Sequence, residues 1–161
     1  MDQSSVDVFL SKLRAEQNYS GAITAGFVSL LLCSILWFAF TGKTGYPMPY
    51  MPIVMAALIA IPFRMYGNGI EQKFSIAAAG LSAFGSFLGF AGNSIALYGQ
   101  DATMGFREKL VSFKFSMLPH LMIENLGLFF IFSFLVGMAV AYYFSIKSFS
   151  EEEIEEGVKG F

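Results

Sequence analysis

Along most of this chain apolar residues do not alternate with polar ones; they run. Residues 21–41, GAITAGFVSLLLCSILWFAFT, carry no charge and have the roughly 20-residue length that lets a helix cross about 30 Å of hydrocarbon. Residues 74–98, FSIAAAGLSAFGSFLGFAGNSIALY, and 126–146, LGLFFIFSFLVGMAVAYYFSI, are also uncharged and long enough to cross with some tilt. A fourth run, PMPYMPIVMAALIAIPFRMY at 47–66, has an irregular entry set by Pro47, Pro49 and Pro52, and Pro62 is expected to kink its last turn. The pattern predicts spans at about 21–41, 48–66, 74–98 and 120–146 within a domain of residues 19–147. The fold class expected is an all-α membrane protein with four transmembrane helices in a compact bundle, preceded by an N-terminal amphipathic helix.

The segments between the runs have different patterns. In residues 1–18, Val6, Phe9, Leu10 and Leu13 fall on one helical face, which predicts an amphipathic helix leading into the first span. The charges of that segment are mixed and no small-residue cleavage pattern follows a short apolar core, so a cleavable leader is not expected there. RMYGNGIEQKF, residues 64–74, reads as a tight turn between the second and third spans. Asn68 tolerates left-handed backbone, and Gly67 and Gly69 add freedom on either side. The same GNG lacks the spaced glycines and the Lys and Ser or Thr of a phosphate-binding loop. Residues 99–117 mix apolar and charged positions at helical spacing and are expected to lie along the interface, where their cations would favour anionic lipid. Residues 148–161 form a short acidic, solvated tail.

Composition agrees with the pattern. Of 161 residues, 55% are hydrophobic and 14% charged, against about 25% charged in soluble domains. Nineteen Phe, nine Met and sixteen Gly fit a membrane setting, where helices use Gly freely. Four spans put both termini on one side together with Lys12, Arg14, Arg64, Lys73, Lys147 and Lys159, and leave Lys43, Arg107, Lys109 and Lys114 on the other. The charge bias expects both termini in the cytoplasm of a bacterial inner membrane. Cys33 is the only cysteine, so neither an internal disulfide nor a cysteine metal cluster can form.

Candidate packing and chemistry concentrate in the third and fourth runs. Gly85, Gly89 and Asn93 recur every four residues, beside a stripe of Ala78, Ser82 and Ser86. Small residues let membrane helices approach closely, either inside one subunit or between subunits. His120 and Glu124 stand four apart with Asn125 alongside, so a helix would place them on one face. A carboxylate inside a span is costly, by about 3 kcal/mol on mild insertion scales, and signals function by default. Cation binding, proton relay, or a hydrogen bond to Asn93 or Arg64 are the open uses, with an interfacial structural role for His120. A fourth helix starting near Met117 would bury Glu124, whereas one starting near Leu126 would leave it at the interface. Two ligands are too few for zinc, and no nucleophile elbow is present. No catalytic residue, metal or cofactor is expected.

The run from YSGAITAG at 19–26, through the proline-bearing second span, to RMYGNGIEQKFSIAAAGLSAFGSFLG at 64–89 resembles a family of small bacterial four-span integral membrane proteins of no established function. That family has an NYxGAIxAG-like entry, then a basic residue, a YGxGI-like turn and an FxxxAA-type glycine-rich span. The likeness covers about residues 15–95 and implies the span count, but no activity. The expected function is a non-enzymatic integral membrane subunit, packing through its small-residue faces into a homo-oligomer or a larger membrane complex. The alternative is a small oligomeric ion channel or transporter with Glu124 and His120 near the pathway. The lipid bilayer, further copies and other membrane subunits are the expected partners; nucleic acid is not.

Overall fold

The computed structural model describes residues 3–98, 108 and 111–147. Most of the expected interfacial segment at 99–117, and the acidic tail at 148–161, lie outside the described residues. No strand occurs among the described residues.

Helix α1 (Gln3–Ala15) keeps Val6, Phe9, Leu10 and Leu13 half-buried and exposes Asp7, Ser11 and Lys12, as its amphipathic pattern requires. Helix α2 (Tyr19–Thr44) starts where the Asn18 side chain accepts the Gly21 amide at 2.8 Å, satisfying one of the first-turn donors that no helical carbonyl can reach. It ends at Gly45 with φ of 68°, a left-handed cap that glycine adopts without steric cost. Helix α3 (Met51–Gly67) has Pro52 in its first turn, where the missing amide is not needed. It carries Pro62 inside and is closed by Asn68 at φ 46°. Helix α4 (Gln72–Leu97) follows; a 3₁₀ turn, Phe115–Met117, then leads into α5 (Leu118–Asn125) and α6 (Leu128–Phe144).

Helices α2 and α4, of 26 residues each, are long and apolar enough to cross a membrane; at 1.5 Å per residue each reaches about 39 Å. The pair α5 and α6 makes a third candidate only when taken as one broken span, and α3 is shorter, at 17 residues.

Two local expectations are corrected. The apolar run expected as one helix over 120–146 is broken at Leu126 and Gly127, and α5 stands at 95° to α6. Both linking residues are extended. Glycine is a poor helix former, and the Asn125 amide donates back to Leu121 O at 2.8 Å, closing α5 on itself. At the turn, Asn68 alone takes the left-handed conformation among residues 67–69. Gly67 and Gly69 are needed for closeness instead: a Cβ on Gly67 would lie 2.9 Å from that of Ala22, and one on Gly69 would strike the Phe74 ring.

Helix α2 packs against α3 and α4, and α6 packs against the same two. The contacts at either end fix the directions. Near the turn, the start of α2 meets the end of α3 and the start of α4 through Ala22, Gly67 and Phe74. At the opposite end, Trp37 and Phe90 meet Phe130 at the start of α6. Thus α2 and α4 run together, and α3 and α6 run against them. Small residues face inward: Ala78, Ser82, Gly85, Ser86 and Gly89 are all buried. They share the core with Leu30, Trp37, Met55, Phe63 and Phe74, while further large apolar side chains cover the outside, among them Leu32 and Leu36 on α2, Ile61 on α3, Phe87 on α4 and Phe132 and Leu135 on α6.

Candidate functional site

Polar groups come together at both ends of the helical body. At the turn, the Asn18 amide donates to Gly67 O at 2.9 Å, and the Lys147 amide donates to Gly69 O at 2.9 Å. The Lys147 ammonium also donates to the Asn68 side-chain oxygen at 2.6 Å. Gln72 donates to the Tyr142 hydroxyl at 2.9 Å. Glu71 pairs with Lys73 and, at 3.8 Å, with Arg14 of α1. These bonds satisfy the turn's backbone and tie α1, α2, α4 and the end of α6 to one point. The arrangement holds structure together.

The other end is open. Here the connection after α2, the end of α4 and one side of α5 enclose a cleft of about 470 Å³, lined by Gly45, Pro47, Ser94, Leu97, Tyr98, Leu121, Glu124 and Asn125. Spacing explains the α5 contribution. Leu121, Glu124 and Asn125 share one helical face, being three and four residues apart. Met122 and Ile123 turn to the other side, where they line an apolar groove of about 350 Å³ with Phe87, Phe90, Phe130 and Phe134. The short helix therefore separates a polar cleft from an oily groove.

Beneath the cleft, the Thr41 hydroxyl donates to the Asn93 side-chain oxygen at 2.9 Å, and both residues are buried. This bond fixes the last turn of α2 against the last turns of α4. Ser94 is fully buried and its hydroxyl has no partner within the protein. Tyr98 stacks edge-on to Phe113 with centroids 5.7 Å apart, which holds its ring at the rim. His120 Nε2 lies 3.2 Å from Glu124 Oε1, and both side chains are more than half exposed.

The structure thus brings Glu124 and Asn125 to one cleft and places Asn93 directly below it. His120 stands at the rim, reaching the site through Glu124. Arg64 lies at the turn end of α3 and is no partner for Glu124. Ala78, Ser82, Ser86, Gly85 and Gly89 are spent on packing inside the chain: a Cβ on Gly85 would lie 2.7 Å from the Met55 sulfur, and one on Gly89 would enter the Trp37 ring. Thr41, Gly45 and Tyr98 are members that sequence reasoning missed. A hydroxyl followed by glycine at the end of an apolar run was their only signal. Among the described residues no three His, Cys, Asp or Glu side chains gather.

No family model, curated protein or solved structure matches this chain.

Proposed function

We propose that this chain is a multi-pass integral membrane protein in which α2, α3, α4 and the broken pair α5–α6 cross the bilayer as a compact four-span bundle, with both termini in the cytoplasm of a bacterial inner membrane. Its role is that of a non-enzymatic subunit that meets further copies or other membrane proteins. The observation that carries this reading is an apolar outer surface combined with small and polar residues buried on α4. Serines, alanines and glycines of α4 point inward while Leu, Ile and Phe cover the outside, the arrangement expected where lipid tails, not water, surround the helices. The inward small residues leave little to offer a partner. On the outer side of α4, however, a Cβ on Gly80 would meet nothing within 4 Å, which leaves a notch where a neighbouring helix can approach. The mass of the protein extracted in native-lipid nanodiscs tests the subunit role. A defined multiple of the chain, or a stoichiometric partner, supports it, and a lone chain contradicts it.

A second reading, an oligomeric ion channel or transporter, is favoured by the cleft at Glu124 and Asn125, because a polar pocket at the end of an apolar helical body is where a permeant solute would enter.

A further inference from the structure

Three helices end at the same cleft. Gly45 caps the C-terminus of α2, Leu97 and Tyr98 are the last residue and the cap of α4, and Glu124 and Asn125 close α5; all of them line the one space. A helix C-terminus carries roughly half an elementary negative charge, and its last carbonyls have no helical partner. Three such ends around one cleft, with a carboxylate among them, make an electronegative site; His120 Nε2 lies 3.2 Å from Glu124 Oε1 at the exposed rim, which leaves Oε2 for a ligand. No Lys or Arg among the described residues lines it, and Lys43, in the last turn of α2, lines a separate cleft with Trp37 and Met51.

We propose that this cleft binds a partly hydrated monovalent cation, sodium or potassium, with Glu124 as its charged ligand. The chemistry of the lining selects the class. A carboxylate, an amide oxygen and a hydroxyl are hard oxygen donors, which suit alkali and alkaline-earth ions and not the softer transition metals. A single carboxylate matches a single charge, whereas calcium sites gather several. Asn125 uses its Nδ2 on Leu121 O, so Oδ1 remains as an acceptor. The Ser94 hydroxyl, buried without a protein partner, supplies another polar group, for the ion or for its water. A water occupies about 30 Å³, so about 470 Å³ holds the ion together with much of its hydration shell. The Thr41–Asn93 bond beneath keeps the ends of α2 and α4 in register, which preorganises two of the three dipoles.

The inference deepens the second reading above and can be judged apart from it, because binding is measured without flux. The thermal midpoint of the full-length protein in detergent is followed in sodium chloride, potassium chloride or N-methylglucamine chloride at equal ionic strength. The expected result is a saturable rise with at least one alkali cation over the bulky organic one. Glu124→Gln should raise the half-saturating concentration at least tenfold. Asp7→Asn, which removes the same charge from an exposed position on α1, should leave it unchanged. Asn125→Asp should tighten binding several-fold, a gain that misfolding cannot mimic. Identical midpoints in all three salts, or a Glu124→Gln variant that saturates with the wild type, would overturn the proposal. Saturable binding without cation flux in proteoliposomes would uphold the site and remove only the conduction reading.

Discussion

The Thr41 hydroxyl and the Asn93 amide oxygen meet at 2.9 Å between two helices that run side by side, and both residues are buried. Their positions are 52 residues apart, yet they set the register of the helix ends that line the cleft. In lipid a lost hydrogen bond finds no water to replace it, although measured interhelical bonds in membranes average only about 0.6 kcal/mol and reach about 1.7.

Thr41→Val keeps the shape and removes the donor. We expect a loss of about 1 kcal/mol in stability, with a double-mutant cycle against Asn93→Ala giving a coupling within the range just quoted. Reversible unfolding in mixed detergent micelles measures both. A coupling of zero would mean that the pair is near in space but not energetically joined.

Two glycines of α4 should respond oppositely to one added methyl. Gly89→Ala pushes into the buried Trp37 ring, and overpacking of this kind costs about 1–3 kcal/mol. Gly80→Ala meets open space and should be neutral or stabilise by up to about 1 kcal/mol through helix propensity. Thermal unfolding of the two variants side by side decides the matter; similar losses would show that the packing face has been assigned wrongly.

The turn offers a third test. Asn68→Gly keeps left-handed backbone cheap and removes only the acceptor of the Lys147 ammonium, whereas Asn68→Ala also adds backbone strain of about 1–2 kcal/mol. Amide hydrogen exchange at Asn18 and Lys147, whose N–H groups are held by Gly67 O and Gly69 O, should speed up modestly in the first variant and more in the second. Unchanged exchange in both would detach the turn from the helix ends.

Much of this architecture is legible in the sequence because hydrophobic length and helical period are local properties. The uncharged runs at 21–41 and 74–98 became α2 and α4 with their ends shifted by one to three residues, and the face of Val6, Phe9, Leu10 and Leu13 became α1. The segments at 18–26 and 63–74 are separated in sequence, yet they lock together: Asn18, Ala22 and Gly26 of the first meet Gly67 or the nearby Phe63, and Tyr19 meets Phe74 edge-on with centroids 5.3 Å apart. No local pattern states which glycine meets which ring. The break at Gly127 was hidden for a similar reason, since composition on both sides is apolar and only the backbone turns the direction through 95°. That bend turns Glu124 from a residue inside a long helix into the lining of a cleft. The convergence of three helix ends is a property of topology and of no single segment.

In the proposed topology the short helix α3 crosses between α2 and α4, so that the turn and the cleft lie on opposite sides of a membrane. The most direct measurement uses a Cys33→Ser background with either Tyr46→Cys or Asn68→Cys, labelled in intact spheroplasts by a membrane-impermeant maleimide. The account predicts reaction at position 46 in intact cells and at position 68 only after lysis. Labelling of both positions from the same side would contradict it, because α3 would then return without crossing.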